Sequence, residues 1–337
     1  MKENILVTIF IPVYNGAYYL KQTLTSIQQQ TYTNIEVLLV DDSSSDRSLS
    51  ILKQFAQNDT RFKVFVKENG GMVAPSFNFI NPKIRGDYFF YASQDDLFSE
   101  DLIEKMVLKQ NETQADCILP NMEFYYENKK DNKQIIGLNG NKGIELSGKR
   151  ACVASLNWDI HGFALFKSSL VKTEFFPEDA FDSDEFVTRK LFLNSNKVVF
   201  SEGVFYYRQD NQYAITKTFT KKNFYVLNTS WKLYKLLQEN NFEKKVVFKS
   251  QLGVIQRYLD IFLRYETFNF ESEVDKKEIE LFLTEFKNKH LQNSFFYYNF
   301  NYTIQKLKWK YLGLITVIKK PFLFRLFKMY KRLKGNK

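Results

Sequence analysis

Two neighbouring aspartates, Asp95 and Asp96, follow the aromatic run Tyr88, Phe89, Phe90 and Tyr91 in "YFFYASQDDLFSED". Such a run reads as a buried strand, so both carboxylates stand at the mouth of a hydrophobic core. Like charges that close repel each other unless a cation neutralises them. Hard divalent ions take carboxylate oxygens, keep open positions and clasp the oxygens of a diphosphate. An ion held there would stabilise the charge that grows on a departing nucleoside diphosphate. The bland alternative is a solvated helix start at Ser99, favoured by the macrodipole. On this stretch alone the two readings are evenly balanced.

A second acidic turn, "DDSSSD" (41–46), follows the apolar run "IEVLLV". Capping of the next helix accounts for Asp46. It does not account for Asp42, which stands where it can accept hydrogen bonds from a base or ribose. "NGGMVAPSFN" (69–78) is Gly-rich ahead of a helix, so amides around Gly70 can approach a phosphate. The stretch is neither GxGxxG nor a Walker loop, which counts against dinucleotide binding and P-loop hydrolysis. A third acidic group lies in "FDSDEFVTRKL", and by itself it reads as an exposed, well-capped helix start.

The elements that must position these groups alternate. "ILVTIFIPV" (5–13), "IEVLLV" (35–40), "FKVFV" (62–66) and "DYFFYA" (87–92) read as strands, with helical spacing over 17–30, from near Asp46, and from "APSFNFI". This predicts a parallel α/β sheet over the first ~110 residues, with ligands beyond the carboxyl ends of its strands. "PVYN", "DDSSSD" and "SQDD" all fall at such ends. From about 115 to 215 strand-like pieces ("CILPNMEFYY", "KQIIGL", "GFALF", "KVVFSEGVFYYR") flank a helix near 184–194, and beyond Lys221 the pattern is helical.

Taken together, these residues resemble the family 2 glycosyltransferases with the GT-A fold. The resemblance runs from residue 5 to about 210 through "TIFIPVYNGAYYLKQTLTSIQQQTYTNIEVLLVDDSSSD", "KENGGMVAPSFNFI", "GDYFFYASQDDLF" and "DSDEFVTRKLFLNSNKVVFSEGVFYYR". It implies a mixed, mainly parallel α/β sheet flanked by helices, with a mostly helical C-terminal extension. The implied domain spans 1–220, divided into a nucleotide-sugar half (1–112) and an acceptor and catalytic half (113–220); residues 221–337 form the extension. Pro12, Tyr14, Asn15, Asp42 and Gly70 would line the nucleotide pocket. Asp95 and Asp96 would contact ribose and hold Mn2+ or Mg2+ on the diphosphate, although Ser93 stands where the family has the first aspartate of DxDD. The resemblance puts the catalytic base at Asp184, with Asp182 or Glu185 as alternatives, since Ser183 replaces the usual glutamate. Inversion needs such a base opposite the leaving group, to deprotonate the acceptor hydroxyl as it attacks the anomeric carbon. "WDIHGF" (158–163) matches part of the acceptor pocket. There Trp158 could stack on a sugar and His161 could bond hydroxyl or phosphate groups; both could equally be core-edge residues with satisfied polar tips, the reading favoured for His161. Arg208 is either a phosphate clamp or a surface ion pair.

Charge is unevenly spread: of a net +10, thirteen Lys and Arg fall from Lys287 onward, and no acid follows Glu285. The tail "LKWKYLGLITVIKKPFLFRLFKMYKRLKGNK" interleaves these cations with apolar residues, a pattern suited to an anionic membrane surface. With two cysteines, two histidines, no cleavable leader and no long apolar span, the expected location is cytoplasmic, at the inner face of the membrane. The expected partners are a UDP-sugar or similar nucleotide-diphospho-sugar donor and a glycan or lipid-linked glycan acceptor of capsule or lipopolysaccharide synthesis; no nucleic acid is expected. The alternatives are a metal-dependent nucleotidyltransferase and a non-catalytic basic scaffold for membrane or nucleic acid.

Overall fold

The computed structural model describes residues 4–128, 132–214 and 217–292. Its sheet is built on β1 (Val7–Val13) and β2 (Ile35–Asp41), paired in parallel from Val7↔Ile35 to Val13↔Asp41. Both are buried along nearly their whole length, which suits a continuous apolar run with neither face turned to water. β3 (Phe62–Val66) pairs with β2, and β4 (Tyr88–Tyr91) with β1, again in parallel. Between them run α1 (Ala17–Gln28), α2 (Ser48–Asn58) and α3 (Val73–Ile80). On α1, Leu20, Leu24 and Ile27 form the buried stripe that fixes the helix on the sheet.

Beyond β4 the sheet becomes mixed. In chain order follow β5 (Leu97–Phe98), α4 (Leu102–Thr113), β6 (Cys117–Tyr125), β7 (Gln134–Ile135), α5 (Gly148–Leu156), β8 (Leu165–Lys167), α6 (Ser168–Val171), α7 (Ser183–Asn194) and β9 (Val198–Arg208). The spatial order is β3-β2-β1-β4-β8-β6-β9-β5, with β7 added to β6. β8 is antiparallel to both neighbours, and β9 returns parallel to β6. The helix predicted to open at Ser99 begins instead at Leu102. Leu97 and Phe98 first pair with Tyr206 and Phe205 as a short strand. Sequence pattern also missed α5, which is short and only partly apolar.

Aromatic packing anchors the acidic turn. Phe90, Phe98 and Phe205 meet pairwise at centroid distances of 5.4, 5.6 and 5.7 Å, tying β4, β5 and β9 together beneath Asp95 and Asp96. Truncating one of these rings to Ala would cost about 3–5 kcal/mol. At the opposite end of the sheet, buried Glu36 accepts from the Thr8 hydroxyl at 2.7 Å and from the Arg85 backbone and guanidinium at 2.8 Å each.

Chain contacts divide the molecule into two units, one of Met1–Glu178 and Asp182–Thr218, the other of Asp179–Phe181 and Phe219–Lys337. In the second, α8 (Val226–Glu239), α9 (Lys244–Tyr265) and α10 (Glu273–Phe286) enclose Phe224, Leu227, Tyr258, Leu259 and Ile279. Lys221 bridges Asp275 and Glu278 on α10, whose N-terminus is capped by the Ser272 hydroxyl. No helix among the described residues is long and apolar enough to cross a membrane. The basic amphipathic tail lies outside the described residues.

Candidate active site

The loops after β1, β2 and β4 converge at the carboxyl edge of the sheet and are stitched by side chains. Gln94 makes a paired contact with the Tyr14 backbone, accepting from its N–H at 2.9 Å and donating to its carbonyl at 3.0 Å. A Cβ on Gly16 would lie 2.3 Å from the Gln94 Oε1, so only glycine allows this approach. Asn15 holds a left-handed φ of 48° and accepts from the Ser45 N–H at 2.8 Å through its Oδ1. Pro12 lies beyond Phe10, the last β1 residue registered with β4, so its missing N–H leaves no gap in that ladder. Asp46 bonds the Ala17 and Ser48 N–H groups at 3.0 and 2.8 Å. Burial alone would raise its pKa, but the Ser48 and Ala17 hydrogen bonds more than offset that and lower it.

Asp42 is equally well satisfied. Its buried carboxylate takes the Lys67 ammonium at 2.6 Å, the Gly70 N–H at 3.0 Å and the Gly71 N–H at 3.3 Å. The amide of Gly70, expected to face a phosphate, is turned onto the chain's own aspartate. Asp42 thereby closes the Gly-rich loop around itself.

Asp95 and Asp96 are far less compensated. Asp96 is 1% exposed; its Oδ2 accepts from the Ser93 N–H at 3.0 Å and its Oδ1 from the Arg208 N–H at 3.2 Å. Asp95 accepts from the Asn211 amide at 2.6 Å. No Lys or Arg side chain is ion-paired with either carboxylate among the described residues. Burial lifts both pKa values, Asp96 well above the carboxylate range, with the charge of Asp95 adding to it. A pair of hard oxygen donors short of positive charge fits a divalent ion. Among the described residues no group of three or more His, Cys, Asp or Glu could hold a metal unaided, so further ligands would come from diphosphate and water.

Asp184 joins this centre from the first turn of α7. The Tyr91 phenol is held well above its ordinary pKa by burial and then by the charges of Asp184, Asp96 and Asp95, so all three carboxylates act on one hydroxyl. Burial first, then the neighbouring charges of Glu185 and Asp182, push the Asp184 pKa up to about 7. Arg189 pulls weakly the other way because it is engaged elsewhere, ion-paired with Glu185 and donating to the Ser155 carbonyl at 3.2 Å. A half-buried carboxyl poised near neutrality is suited to taking up a proton.

The remaining expected residues take different places. The Arg208 guanidinium is wholly enclosed: Nε donates to the Asp95 carbonyl at 2.8 Å, Nη2 to Gln22 at 2.6 Å and Nη1 to Asp210 at 3.3 Å, over the rings of Tyr19 and Tyr125. It braces the acidic turn, and is neither a surface ion pair nor open to a phosphate. His161 is buried, with Nε2 2.8 Å from the Pro120 carbonyl; burial pushes its pKa down to about 4, so the ring is neutral near pH 7. Trp158 is 46% exposed and lies on Phe124 at 6.4 Å. It has a φ of 60°, unusual for a bulky residue and costing about 1–2 kcal/mol.

Sequence reasoning missed Tyr91, Gln94, Lys67, Asn211 and Gln22. Tyr91 carried a signal, as the last strand residue before the acidic turn. The other four are polar residues whose partners lie up to 186 positions away, and nothing local marks them.

Comparison with known proteins bears on this geometry. Residues 8–175 match the model of glycosyl transferase family 2. The glycosyltransferase GlyG of Streptococcus pneumoniae serotype 4 is 30% identical over 223 residues, spanning 60% of this chain and 71% of GlyG. The chain belongs to the family 2 glycosyltransferases. Among solved structures, residues 1–349 of S. aureus TarS in complex with UDP-GlcNAc superpose with a TM-score of 0.55, at 17% identity over 93% of this chain and 79% of that one. The mannosyltransferase PcManGT of Pyrobaculum calidifontis, in complex with GDP-Man and Mn2+, gives 0.51 at 15% identity over 92% and 86%. At these identities the likeness is one of fold, and the GT-A architecture of this glycosyltransferase agrees with it.

Proposed function

We propose that this glycosyltransferase inverts, moving a hexosyl or N-acetylhexosaminyl group from a UDP-sugar to a hydroxyl of a glycan or lipid-linked glycan in bacterial cell-surface polysaccharide synthesis. The observation that carries this reading is the buried Asp96 beside Asp95, neither ion-paired with Lys or Arg among the described residues, with Asp184 acting on the same Tyr91 hydroxyl, in a chain whose structural relatives were captured with UDP-GlcNAc and with GDP-Man and Mn2+. Asp184 in its ionised form accepts the acceptor hydroxyl's proton as that oxygen attacks the anomeric carbon and the bond to the nucleoside diphosphate breaks. Arg208, Asn211 and the Ser93 amide hold the acidic turn in place throughout. Asp95 and Asp96 would hold Mn2+ or Mg2+, which when bound supplies positive charge beside the departing diphosphate.

The basic tail would seat the enzyme on the inner face of the cell membrane, near a lipid-linked acceptor. Truncation after residue 300 should release the protein from anionic liposomes while leaving UDP binding intact. Donor choice is tested by screening nucleotide-sugars for thermal stabilisation with Mn2+, then following the product by NMR. Transfer from an α-linked UDP-sugar should give a β-linkage, and an α-linkage would remove the inverting role of Asp184.

A further inference from the structure

A cleft of about 780 Å³ opens at the amino end of β1 and β4, the end of the sheet away from the acidic turns. Its volume falls within the roughly 300–1,000 Å³ that small-ligand pockets occupy. Asn4 and Ile5 lead into β1, Arg85, Gly86 and Asp87 lead into β4, and Lys167 ends β8 in register with Tyr88. Backbone bonds hold these segments together. The Ser168 N–H, at the start of α6, donates to the Asp87 carbonyl at 2.8 Å, and the Asp87 N–H donates to the Leu6 carbonyl at 2.7 Å. A Cβ on Gly86 would lie 2.6 Å from the Thr8 backbone nitrogen, so this lining segment is pressed closely on β1.

Charge on the cleft is one-sided. Arg85, Lys167 and Lys172 line it against a single acid, Asp87, whose Oδ2 already accepts from the Leu6 N–H at 2.9 Å. The Lys172 ammonium has no ion pair or hydrogen bond among the described residues, and Lys167 reaches Asp116 only at 3.6 Å. Arg85 spends Nε and Nη2 on Glu36 at 2.8 Å each, which leaves its Nη1 without a partner among the described residues. Two neutral groups are unspent as well. Ser168 and Gln110 line the cleft and are buried, yet the Ser168 hydroxyl and the Gln110 Oε1 have no hydrogen-bond partner among the described residues. A fold normally pairs its buried polar atoms.

We propose that this cleft binds a phosphate-bearing small molecule. Lys172, Lys167 and the free Nη1 of Arg85 hold the phosphate, and the ligand's remaining polar atoms face Ser168 and Gln110. Phosphate oxygens accept several charge-assisted bonds at once, which suits two ammoniums and a guanidinium edge on one cleft. The site goes beyond the transferase reading and needs neither the acidic centre nor a metal. A free phosphate ester and a lipid headgroup share this chemistry. Ile5 is the one aliphatic side chain among the lining residues, which favours the ester, since the cleft offers an acyl chain little to pack on.

The isotope-labelled full chain, in EDTA to remove metal-dependent donor contacts, would be titrated with glycerol phosphate at constant ionic strength and followed by amide NMR. Saturable shifts are expected at Arg85, Gly86, Ser168 and Ser169. Lys167→Gln combined with Lys172→Gln removes two exposed cations, so it should fold with a melting temperature within a few degrees of the parent. It should weaken binding about tenfold. Lys53→Gln combined with Lys244→Gln, the same loss of exposed charge elsewhere, should bind as the parent does. Shifts confined to the loops around Tyr14 and Asp96, no saturable shift, or equal affinity in the cleft variant would overturn the site. Dihexanoyl phosphatidic acid distinguishes the sources: affinity equal to that of glycerol phosphate is expected and marks a soluble ester, whereas affinity about tenfold tighter would mark a lipid headgroup.

Discussion

Five of the aspartates near the carboxyl edge of the sheet fall into two groups that the chain treats in opposite ways. Asp42 and Asp46, after β2, are saturated: one takes an ammonium and two amides, the other amides from Ala17 and Ser48. Of Asp95, Asp96 and Asp184, beside β4 and at the start of α7, the second is buried and the other two half-buried; none is ion-paired with Lys or Arg among the described residues, and all three are driven toward protonation. The same residue type in neighbouring loops is therefore architecture in one place and an unmet electrostatic demand in the other. A fold does not leave buried charge uncompensated for its own stability. The second group marks where charge or a proton must arrive from outside.

This contrast can be broken first at Asp184. Asp184→Asn should lower transfer by roughly 10²–10⁴-fold, the usual range for losing a general base, and leave UDP binding unchanged in calorimetry. Its folded pKa lies above the unfolded value, so it favours the fold when protonated, and that contribution is lost as pH rises through about 7. The same variant should therefore raise the melting temperature at pH 8 more than at pH 5. In the parent, transfer should fall about tenfold per pH unit below about 7 and level off above it. An active Asp184→Asn variant would move the base to Asp182 or Glu185.

Asp96→Asn comes next, with transfer reduced about 100-fold or more through loss of the metal-held diphosphate. The saturated group should behave in reverse. Lys67→Met leaves Asp42 without its cation and should cost roughly 2–3 kcal/mol in thermal or urea unfolding. Asp46→Ala is the smallest step, about 1 kcal/mol of stability from lost amide partners, with little change in chemistry. If Lys67→Met left stability untouched while Asp96→Asn unfolded the protein, the two groups would have been assigned the wrong way round.

Much of this was legible in the sequence where patterns are local. β1 and β2 announce themselves because strands buried on both faces leave unbroken apolar runs, and the acidic turns follow them directly. Asp95 and Asp96 could be named for the same reason, whereas Asp184 was placed only by the resemblance, since by itself its stretch reads as an exposed helix start. What stayed hidden depends on partners far along the chain: Arg208 bonds Gln22 across 186 positions, so its burial could not be read from "FYYR". The Gly-rich loop misled for a related reason, since its amides point inward to Asp42 and a sequence does not say which way an amide faces. α5 escaped notice because Gly148, Ser155 and two alanines dilute its apolar stripe. The left-handed backbone at Trp158 is an angle that no local pattern reports.

The most direct test is calorimetric titration of UDP into the full chain, into Asp184→Asn and into Asp96→Asn, each with Mn2+ and with EDTA. The parent and Asp184→Asn should bind at least about tenfold more tightly with Mn2+, and Asp96→Asn should lose that gain. Equal affinity in Mn2+ and EDTA for the parent, or an undiminished metal effect in Asp96→Asn, would contradict a cation-seeking role for the buried pair.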